Sequence, residues 1–558
     1  MNPSSSSSHC GCIIPAQIQT LVTWCSKNGI WIHEKLQLLP QNGGIAVFSS
    51  EEVIPPSATL VKIPKSSVLS TKSTAVSHMM SASPYGLEAQ LELAVALYLE
   101  LAKKESSRWY GYLQSLPNRV DLPVFWDVPS KDDIYEDGGT AINWLEGTEV
   151  NRRLRYPSEK EENIPSVIKS FYDNTAVPVF LKCFGTSLEP QLHEFHHAYS
   201  LVSSRAFLVD AYHGLSMVPI ADAFNHTTDN HVHLESEFQV CPECGSLREC
   251  PHDQDIVTSL PQDNSTSGYR HESNMEEDDY YEMVSNSAIP PHSEVFNTYG
   301  ETLSNAQLLV QYGFVLDVNE NDHITWSLEE AYHEVTRTLN YAHRVNVPTV
   351  ESVRAIWLQA EGDLEVLRQH FEGQSQLIYC NTVATLDLAR HNAGMDRDAF
   401  CINSDGRVSH QLWLFCALFR SLVRLNDGAD GKATLVALVY QMAEVQRKVE
   451  DYMEGQDEEI ELDADGLGSD IPNKVWSLVA ETASMVLLLC RSRRGEIGPK
   501  GTDMSTTDLG DVLDKLPGNK PRTKLAVTHV ITEVSMLNSC EANWSEFHDL
   551  SVSISSRE

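Results

Sequence analysis

Cysteine and histidine are concentrated in one stretch of this chain, at a spacing that suits a metal ion. Cys241, Cys244, Cys250 and His252 lie close together, and the first two have the Cys-x2-Cys spacing common in zinc sites. Three thiolates and one imidazole would make the four-ligand set of a structural zinc ion. The stretch therefore predicts a zinc site inside a polar loop, and a loop of reduced thiols without metal is the alternative that these residues leave open.

A second metal-type pattern runs from His193 to His197, which formally fits the His-Glu-x-x-His signature of zinc hydrolases. On a helix these two histidines would share one face, with Glu194 as the general base. A pattern with two free positions also arises by chance, and no third ligand follows at a familiar spacing. We therefore expect these residues to be ordinary helix positions.

Three short motifs hold the remaining candidates. Asn225-His226 follows a short apolar run and offers an amide, an imidazole and backbone groups to one polar ligand. Tyr299 and Tyr312 each precede a glycine, and Gly43-Gly44 allows the backbone to approach a ligand closely. Taken singly, each motif is typical of a turn or of a core tyrosine. Whether these motifs form a functional site therefore depends on the helices and strands in which they lie.

The elements around these motifs differ between the two halves of the chain. Residues 42–70 contain β-branched runs, glycines and a Pro-Pro turn, which predict short strands, and residues 86–116 have helical periodicity. Residues 227–288 are polar and lack periodicity, which indicates an insertion. Beyond about residue 325 the long segments repeat apolar residues at i, i+3 and i+4, as amphipathic helices do. We expect an α+β chain with an all-helical C-terminal half.

Charge and cysteine usage limit the partners and the compartment. The chain has 78 acidic and 41 basic side chains, a net charge of -37, which repels nucleic acid and anionic lipid and attracts basic protein segments. No run reaches about 18 apolar residues, and the N-terminus lacks the features of a secretory signal. The 12 scattered cysteines indicate a reducing compartment. We expect an intracellular, monomeric protein of the nucleus or cytoplasm, without nucleic-acid or membrane partners.

Two acidic runs, residues 276–279 and 457–459, are expected to be solvated loops. Steering of a basic substrate is the alternative reading of these runs.

Read in order, several blocks of the sequence resemble one enzyme family. MVPIADAFNH followed by EVFNTYGETLSNAQLLVQYGF resembles the C-terminal motifs of the SET-domain lysine methyltransferases of the Rubisco large-subunit and fungal ribosomal-protein type. GGIAVFSSEEVIPPSATLVKIPK is similar to the N-terminal SET segment, and WYGYLQSLP, LPVFW and WLEGTEV to the inserted helical region. The resemblance covers roughly residues 25–545, and the order of the blocks makes it more specific than any single motif.

The resemblance implies a SET fold of small β-sheets with a knot-like crossing, a helical insertion and an all-α C-terminal substrate-binding domain. With the sequence pattern, it gives the expected boundaries: a disordered N-terminus at 1–17, a SET domain at 18–320 with a helical insertion at about 86–195 and a polar insertion at about 227–288, and a helical domain at 325–550.

The resemblance also implies S-adenosylmethionine as cofactor and assigns site residues. Expected cofactor-binding residues are Gly44, Ile45, Ser204, Asp222, Asn225, His226, Tyr299 and Tyr312. Expected substrate-binding residues are Arg205, Phe207, Phe224 and Tyr312, and Tyr299 is the expected catalytic residue. The family's N-terminal loop usually has Gly-x-Gly, and here Asn42 replaces the first glycine. Asn is the commonest substitute where φ is positive, so this departure is mild.

The implied reaction sets what Tyr299 must do. A lysine ammonium has no lone pair, so a narrow apolar channel must depress its pKa before the amine attacks the methyl group. Alignment of amine, methyl and sulfur is then the main contribution of the protein. A tyrosine with a pKa of about 10 suits alignment better than general-base catalysis. The favoured substrate is a lysine of a basic protein, with ribosomal proteins first, while a histidine methyltransferase and a non-catalytic SET-fold binding protein stay open.

Overall fold

The computed structural model describes residues 15–41, 43–80, 83, 85–128, 135–155, 163–247, 250–252, 280–342, 347–357, 367, 371–373, 375–380, 400–425, 431–457, 472–499 and 504–555. Several predictions fall wholly or partly on other residues. Most of the expected disordered N-terminus, Asn42, the acidic run 276–279 and the end of the run 457–459 lie outside the described residues.

The chain forms two compact units, each assembled from separate segments. The first unit combines residues 1–125, 155–301 and 310–313, and the second combines residues 126–154, 302–309 and 314–558. The residues expected to bind cofactor all belong to the first unit.

The strands are short and occur in both units. They are β1 (Trp31–Ile32), β2 (Leu36–Gln41), β3 (Gly44–Ser49), β4 (Thr59–Pro64), β5 (Leu69–Ser70), β6 (Ala206–Asp210), β7 (Gly214–Met217), β8 (Val232–Glu235), β9 (Tyr280–Ser285), β10 (His323–Trp326), β11 (Ile378–Tyr379), β12 (Phe400–Asn403) and β13 (Val408–Ser409).

The helices lie before, between and after groups of these strands along the chain. They are α1 (Pro15–Lys27), α2 (Gly86–Ala102), α3 (Tyr110–Leu113), α4 (Gly138–Trp144), α5 (Glu149–Arg153), α6 (Ile164–Phe171), α7 (Val177–Phe184), α8 (Leu192–Arg205), α9 (Asn305–Tyr312), α10 (Leu328–Ala342), α11 (His410–Leu425), α12 (Gly431–Asp457), α13 (Asn473–Glu496), α14 (Thr506–Lys515) and α15 (Pro521–Ser555).

The first unit is built from three small sheets and the helices that cover them. The strand orders are β1-β4-β9-β8, β2-β3 and β5-β7-β6, and every pairing is antiparallel. The central helix α2 packs on α8, and its residues from Leu91 to Leu99 are almost wholly buried. Because α2 is apolar on nearly every face, it needs cover on every side, which makes it the core helix of this unit.

The second unit is mostly helical but contains a sheet that the all-helical prediction missed. Its strands follow the order β10-β12-β13-β11. Each has only two to four residues, which is too few for a period-two pattern to show against the helical periodicity on either side. Burial of Ile324, Trp326 and Ile402 fixes these strands, and burial depends on tertiary packing.

One helix of the second unit, α13, is long and apolar enough to cross a membrane. Most of its apolar window is buried against the rest of the unit, as in the core helix of a globular domain. Its Arg493 is buried too and donates to the carboxylate of Glu149 at 2.8 Å. Burial alone would raise the pKa of Glu149, but the charges of Arg493 and Arg152 hold that pKa below its ordinary value.

Candidate active site

Two chain segments of the first unit, 225–232 and 293–299, pair through their backbones. Asn297 N–H donates to Asn225 O at 2.8 Å, and Thr227 N–H donates to Asn297 O at 3.0 Å. His226 and Asn297 form a parallel bridge, and Asn297 is buried. This pairing sets the Asn-His motif beside the segment that carries Tyr299.

The side chain of Asn225 is held by two neighbours from other segments. Its Nδ2 donates to Glu294 Oε1 at 2.6 Å and to Gln41 Oε1 at 3.2 Å. Gln41 Nε2 in turn donates to Glu294 Oε2 at 3.0 Å. The predicted cofactor residue is therefore part of a closed ring of three polar side chains.

Three aromatic side chains are stacked next to these three polar residues. His226 lies on Tyr299 with ring centres 5.1 Å apart, and Tyr299 lies on Tyr312 at 4.5 Å. The N–H of Tyr299 donates to His226 Nδ1 at 3.1 Å, so this nitrogen is the acceptor of the imidazole. The structure thus brings together the two tyrosines and the histidine that the sequence placed in one site.

Burial favours the neutral form of all three rings. It raises the pKa of Tyr299 and of Tyr312, and it lowers the pKa of His226. All three groups are therefore neutral near pH 7. A tyrosine in this state can donate a hydrogen bond or align a partner, but it is a poor general base.

Arg205 and Asp222 form a second group of polar contacts in the first unit. Arg205 Nη1 donates to the backbone O of Asp222 at 2.7 Å and lies 3.8 Å from its carboxylate. The hydroxyl of Tyr112 donates to Asp222 Oδ2 at 2.7 Å, and both residues are buried. Burial raises the pKa of Asp222 in spite of the opposing charge of Arg205.

A cavity joins these groups to the N-terminal loop. It is lined by Leu21, Ile45, Tyr112, Ser115, Leu116, Arg205, Ile220, Asp222 and Ala223. Ile220 has a φ of 70°, which is rare for a β-branched residue. Backbone in such a region costs roughly 1–3 kcal/mol and persists only where the surrounding structure holds it. The chain therefore carries local strain at the wall of this cavity.

The other predicted residues take different positions. Ser204 Oγ donates to Ser200 O within its own helix α8, and Phe207 is half-buried on β6. Phe224, expected to contact substrate, is fully buried in the core. A Cβ built on Gly44 would lie 3.5 Å from Arg205 Nη2, so the N-terminal loop runs close to the guanidinium. The structure thus places Gly44 and Arg205 together and leaves Phe224 without exposed surface.

Sequence reasoning missed Tyr112, Gln41 and Glu294 as site residues. Tyr112 belongs to the block WYGYLQSLP, which carried part of the family resemblance but gave no sign of its contact with Asp222. Gln41 and Glu294 are ordinary polar residues in sequence, and they meet Asn225 only in the fold. Glu294 is the first residue of the matched block EVFNTYG, and Gln41 lies two residues before the matched block GGIAVF. Their positions in or next to matched blocks are the signal that could have found them.

The predicted metal ligands do come together. One ligand atom from each of Cys241, Cys244, Cys250 and His252 lies within 4.8 Å of the other three. Backbone bonds close the loop, with Gly245 N–H donating to Cys241 O at 2.8 Å. Backbone N–H groups, that of Glu243 first, lower the pKa of the Cys241 thiol to about 7.

The His-Glu-x-x-His segment behaves as a helix surface. His193 and Glu194 are exposed on α8, and His196 stacks on Phe125 with ring centres 4.2 Å apart. Burial lowers the pKa of His197 to about 4. Within the described part of the chain, these histidines do not gather with other metal-type side chains into a possible ligand set.

Comparisons with known proteins show which proteins the sequence of this chain is similar to. No family model matches the chain. It is similar to ribosomal lysine N-methyltransferase 3 of Saccharomyces cerevisiae, with 26% identity over 331 residues, which cover 50% of this chain and 58% of that protein. It is 25% identical to N-lysine methyltransferase setd6 of Xenopus tropicalis over 58% of this chain and 63% of that protein. The chain thus spans less than two thirds of the length of these two relatives.

The fold resembles a solved structure over nearly its whole length. The SET domain of LSMT bound to lysine and AdoHcy matches with a TM-score of 0.55 and 14% identity, over 96% of this chain and 92% of that chain. The α+β SET fold expected from the sequence is therefore confirmed, and so is the resemblance to lysine methyltransferases.

Replacement of Tyr112 by Phe removes one hydrogen bond to a buried carboxylate. We expect Tyr112→Phe to lower the free energy of unfolding by roughly 1–3 kcal/mol, because Asp222 is left with one partner fewer inside the protein. Urea denaturation of the wild type and the variant measures this difference. Tyr110→Phe is the matched control, since Tyr110 is exposed and its hydroxyl should matter by less than about 0.5 kcal/mol. Equal losses in both variants would contradict the role of the Asp222 bond.

Proposed function

We propose that the chain is a protein-lysine N-methyltransferase that uses S-adenosylmethionine. The observation that carries this proposal is the pairing of residues 225–232 with 293–299, which sets Asn225-His226 against the stack of Tyr299 and Tyr312. The similarity to proteins named lysine methyltransferases supports the same activity.

The cavity and its surroundings fit the chemistry of this cofactor. Arg205 Nε is buried without a hydrogen-bond partner among the described residues, and a guanidinium donor suits the cofactor's carboxylate. Leu21 and Ile45 offer apolar surface in the cavity, and Asn225, which follows the lining residues Asp222 and Ala223 in the chain, has an amide oxygen. We propose that Ile45, Asp222, Asn225 and His226 hold the cofactor, which supplies an electrophilic methyl group when bound. Arg205, which the resemblance assigned to the substrate, is proposed to contact the cofactor instead.

The protein's part in the reaction is to remove water from an amine and to align it. Tyr299 and Tyr312 form a neutral, half-buried aromatic surface, and such surroundings disfavour a lysine ammonium because they solvate its charge poorly. The Tyr299 hydroxyl then positions the amine. Its raised pKa favours this aligning role over proton removal.

We propose a basic protein segment, with ribosomal proteins first, as the substrate. The net charge of -37 favours long-range attraction of such segments, and one similar protein is named a ribosomal lysine N-methyltransferase. The mostly helical second unit is proposed to bind the substrate, in line with the family resemblance. A nuclear or cytoplasmic location fits both this substrate and the scattered cysteines.

Incubation of the purified chain with radiolabelled S-adenosylmethionine and cell extract tests the activity and the substrate together. We expect label in a ribosomal protein, and mass spectrometry of the labelled band to place the methyl group on lysine. Label on histidine would replace this proposal by a histidine methyltransferase. If no protein is labelled although the radiolabelled S-adenosylmethionine is intact, the result would favour a non-catalytic binding protein of the same fold.

Removal of one hydroxyl tests the role of Tyr299. We expect Tyr299→Phe to reduce methyl transfer at least roughly tenfold, because amine alignment is lost, while cofactor binding measured by calorimetry stays close to that of the wild type. Tyr280→Phe serves as the control, since Tyr280 is an exposed tyrosine of β9. Full activity of the Tyr299 variant would remove this residue from the mechanism.

We further propose that Cys241, Cys244, Cys250 and His252 bind one structural zinc ion. Four soft or borderline donors whose ligand atoms converge within 4.8 Å are what tetrahedral zinc requires. The loop packs near Tyr212, whose ring lies 3.1 Å from a Cβ built on Gly245. Methyl transfer does not need a metal, so we assign this ion to the stability of the loop.

Elemental analysis of protein purified without chelators tests the zinc site. We expect about one zinc ion per chain in the wild type and a large loss in Cys244→Ser, because three ligands bind zinc far more weakly than four. Cys183→Ser should keep its zinc, since Cys183 is an exposed thiol on α7, outside the cluster. A wild-type protein without zinc would disprove the site.

A further inference from the structure

We propose that Glu294, together with Gln41, is a positioning residue that sets which face of the Asn225 amide meets the cofactor. This inference rests on the proposed function, since it concerns the same cofactor site. Glu294 is not one of the residues that the family resemblance assigned, and it acts through Asn225.

The hydrogen bonds of the ring determine the orientation of each amide. Glu294 is a carboxylate and can only accept, so the groups that reach its two oxygens must be the NH2 groups of Asn225 and Gln41. With its NH2 directed at Glu294, Gln41 turns its own oxygen towards Asn225, and it accepts the second Nδ2 hydrogen at 3.2 Å. Both amides therefore have one defined orientation.

This arrangement uses both donors of the Asn225 amide. The Nδ2 group donates once to Glu294 and once to Gln41, while Oδ1 has no side-chain or backbone donor among the described residues. The side-chain amide of Asn225 can therefore meet a ligand only as an acceptor. A flipped amide would present donors in the same place, so the orientation decides which polar groups of the cofactor are accepted.

The backbone fixes the members of the ring in place. Glu294 forms a bridge with Phe48 of β3, and Val295 N–H donates to Val47 O at 2.8 Å. Gln41 ends β2 opposite Gly44, the glycine of the predicted cofactor loop. The ring thus ties the N-terminal loop to the Asn-His motif, and the position of one depends on the position of the other.

A carboxylate is required because two donors converge on residue 294. In Glu294→Gln, the single amide oxygen can accept one of them, and the new NH2 faces the other. We expect the variant to bind S-adenosylhomocysteine at least about tenfold more weakly than the wild type, a change that corresponds to about 1.4 kcal/mol. Isothermal titration calorimetry measures this affinity directly, without methyl transfer.

A matched control separates the ring from general effects of lost charge. Glu282 lies on β9 and accepts from Thr59 Oγ1 at 2.9 Å, with Lys62 at 2.8 Å. It is a partly exposed carboxylate of the same unit with no bond to Asn225. Glu282→Gln should therefore bind S-adenosylhomocysteine as the wild type does, to within about threefold.

Exchange of the two side chains gives a rescue that a merely structural role would not produce. In the double variant Gln41→Glu with Glu294→Gln, the carboxylate at 41 accepts from Asn225 and from Gln at 294, whose oxygen accepts the other Asn225 hydrogen. All three hydrogen bonds are kept with the charge relocated. We expect the double variant to recover affinity to within about threefold of the wild type.

The outcomes separate this inference from the proposed function. A wild-type chain that does not bind S-adenosylhomocysteine overturns the proposed function itself. A wild type that binds, with unchanged affinity in Glu294→Gln, overturns the positioning role alone. Weak binding in both the single and the double variant also overturns it, because the hydrogen-bond ring would then not account for the loss.

Discussion

The pairing of residues 225–232 with 293–299 is the constraint on which the rest of the site depends. Two backbone hydrogen bonds between Asn225, Thr227 and Asn297 join segments that the intervening insertion separates widely in sequence. Buried backbone groups have to be paired, so this contact is fixed by the same requirement that fixes a sheet. The amide ring and the aromatic stack both follow from it, since each needs one member from either segment.

Burial then gives these residues their chemical character. Burial favours the neutral forms of Tyr299, Tyr312 and His226, whereas Arg205 and Asp222 form a polar group that lines the cavity. Neutral aromatic residues in the same unit as this polar group suit the proposed reaction, in which a charged amine must become neutral next to a charged sulfur. The strained backbone at Ile220 lies in the wall of the same cavity as Arg205 and Asp222.

Much of this could be read from the sequence, and the exceptions have a common cause. Local periodicity predicted α2 and the long C-terminal helices, and ordered motifs predicted the SET fold and the convergence of Asn225, His226, Tyr299 and Tyr312. Zinc-type spacing also predicted the convergence of the cysteine cluster. The missed features, such as the bond from Tyr112 to Asp222 and the sheet of the second unit, depend on partners far away in the chain. A local sequence pattern does not indicate a partner that lies far away in the chain.

The hydrogen-bonded ring of Asn225, Gln41 and Glu294 also has a consequence for how the protein folds. Asn225 is separated from Glu294 by 69 residues and from Gln41 by 184. Contacts between such distant residues raise contact order and slow folding, because long loops must close before the contacts stabilise them. During synthesis, the Gln41 side chain has neither of these two partners until residues 225 and 294 have been added to the chain. Affinity for the cofactor is then a property that appears late in folding, and the cofactor would act as a ligand that stabilises only the finished chain.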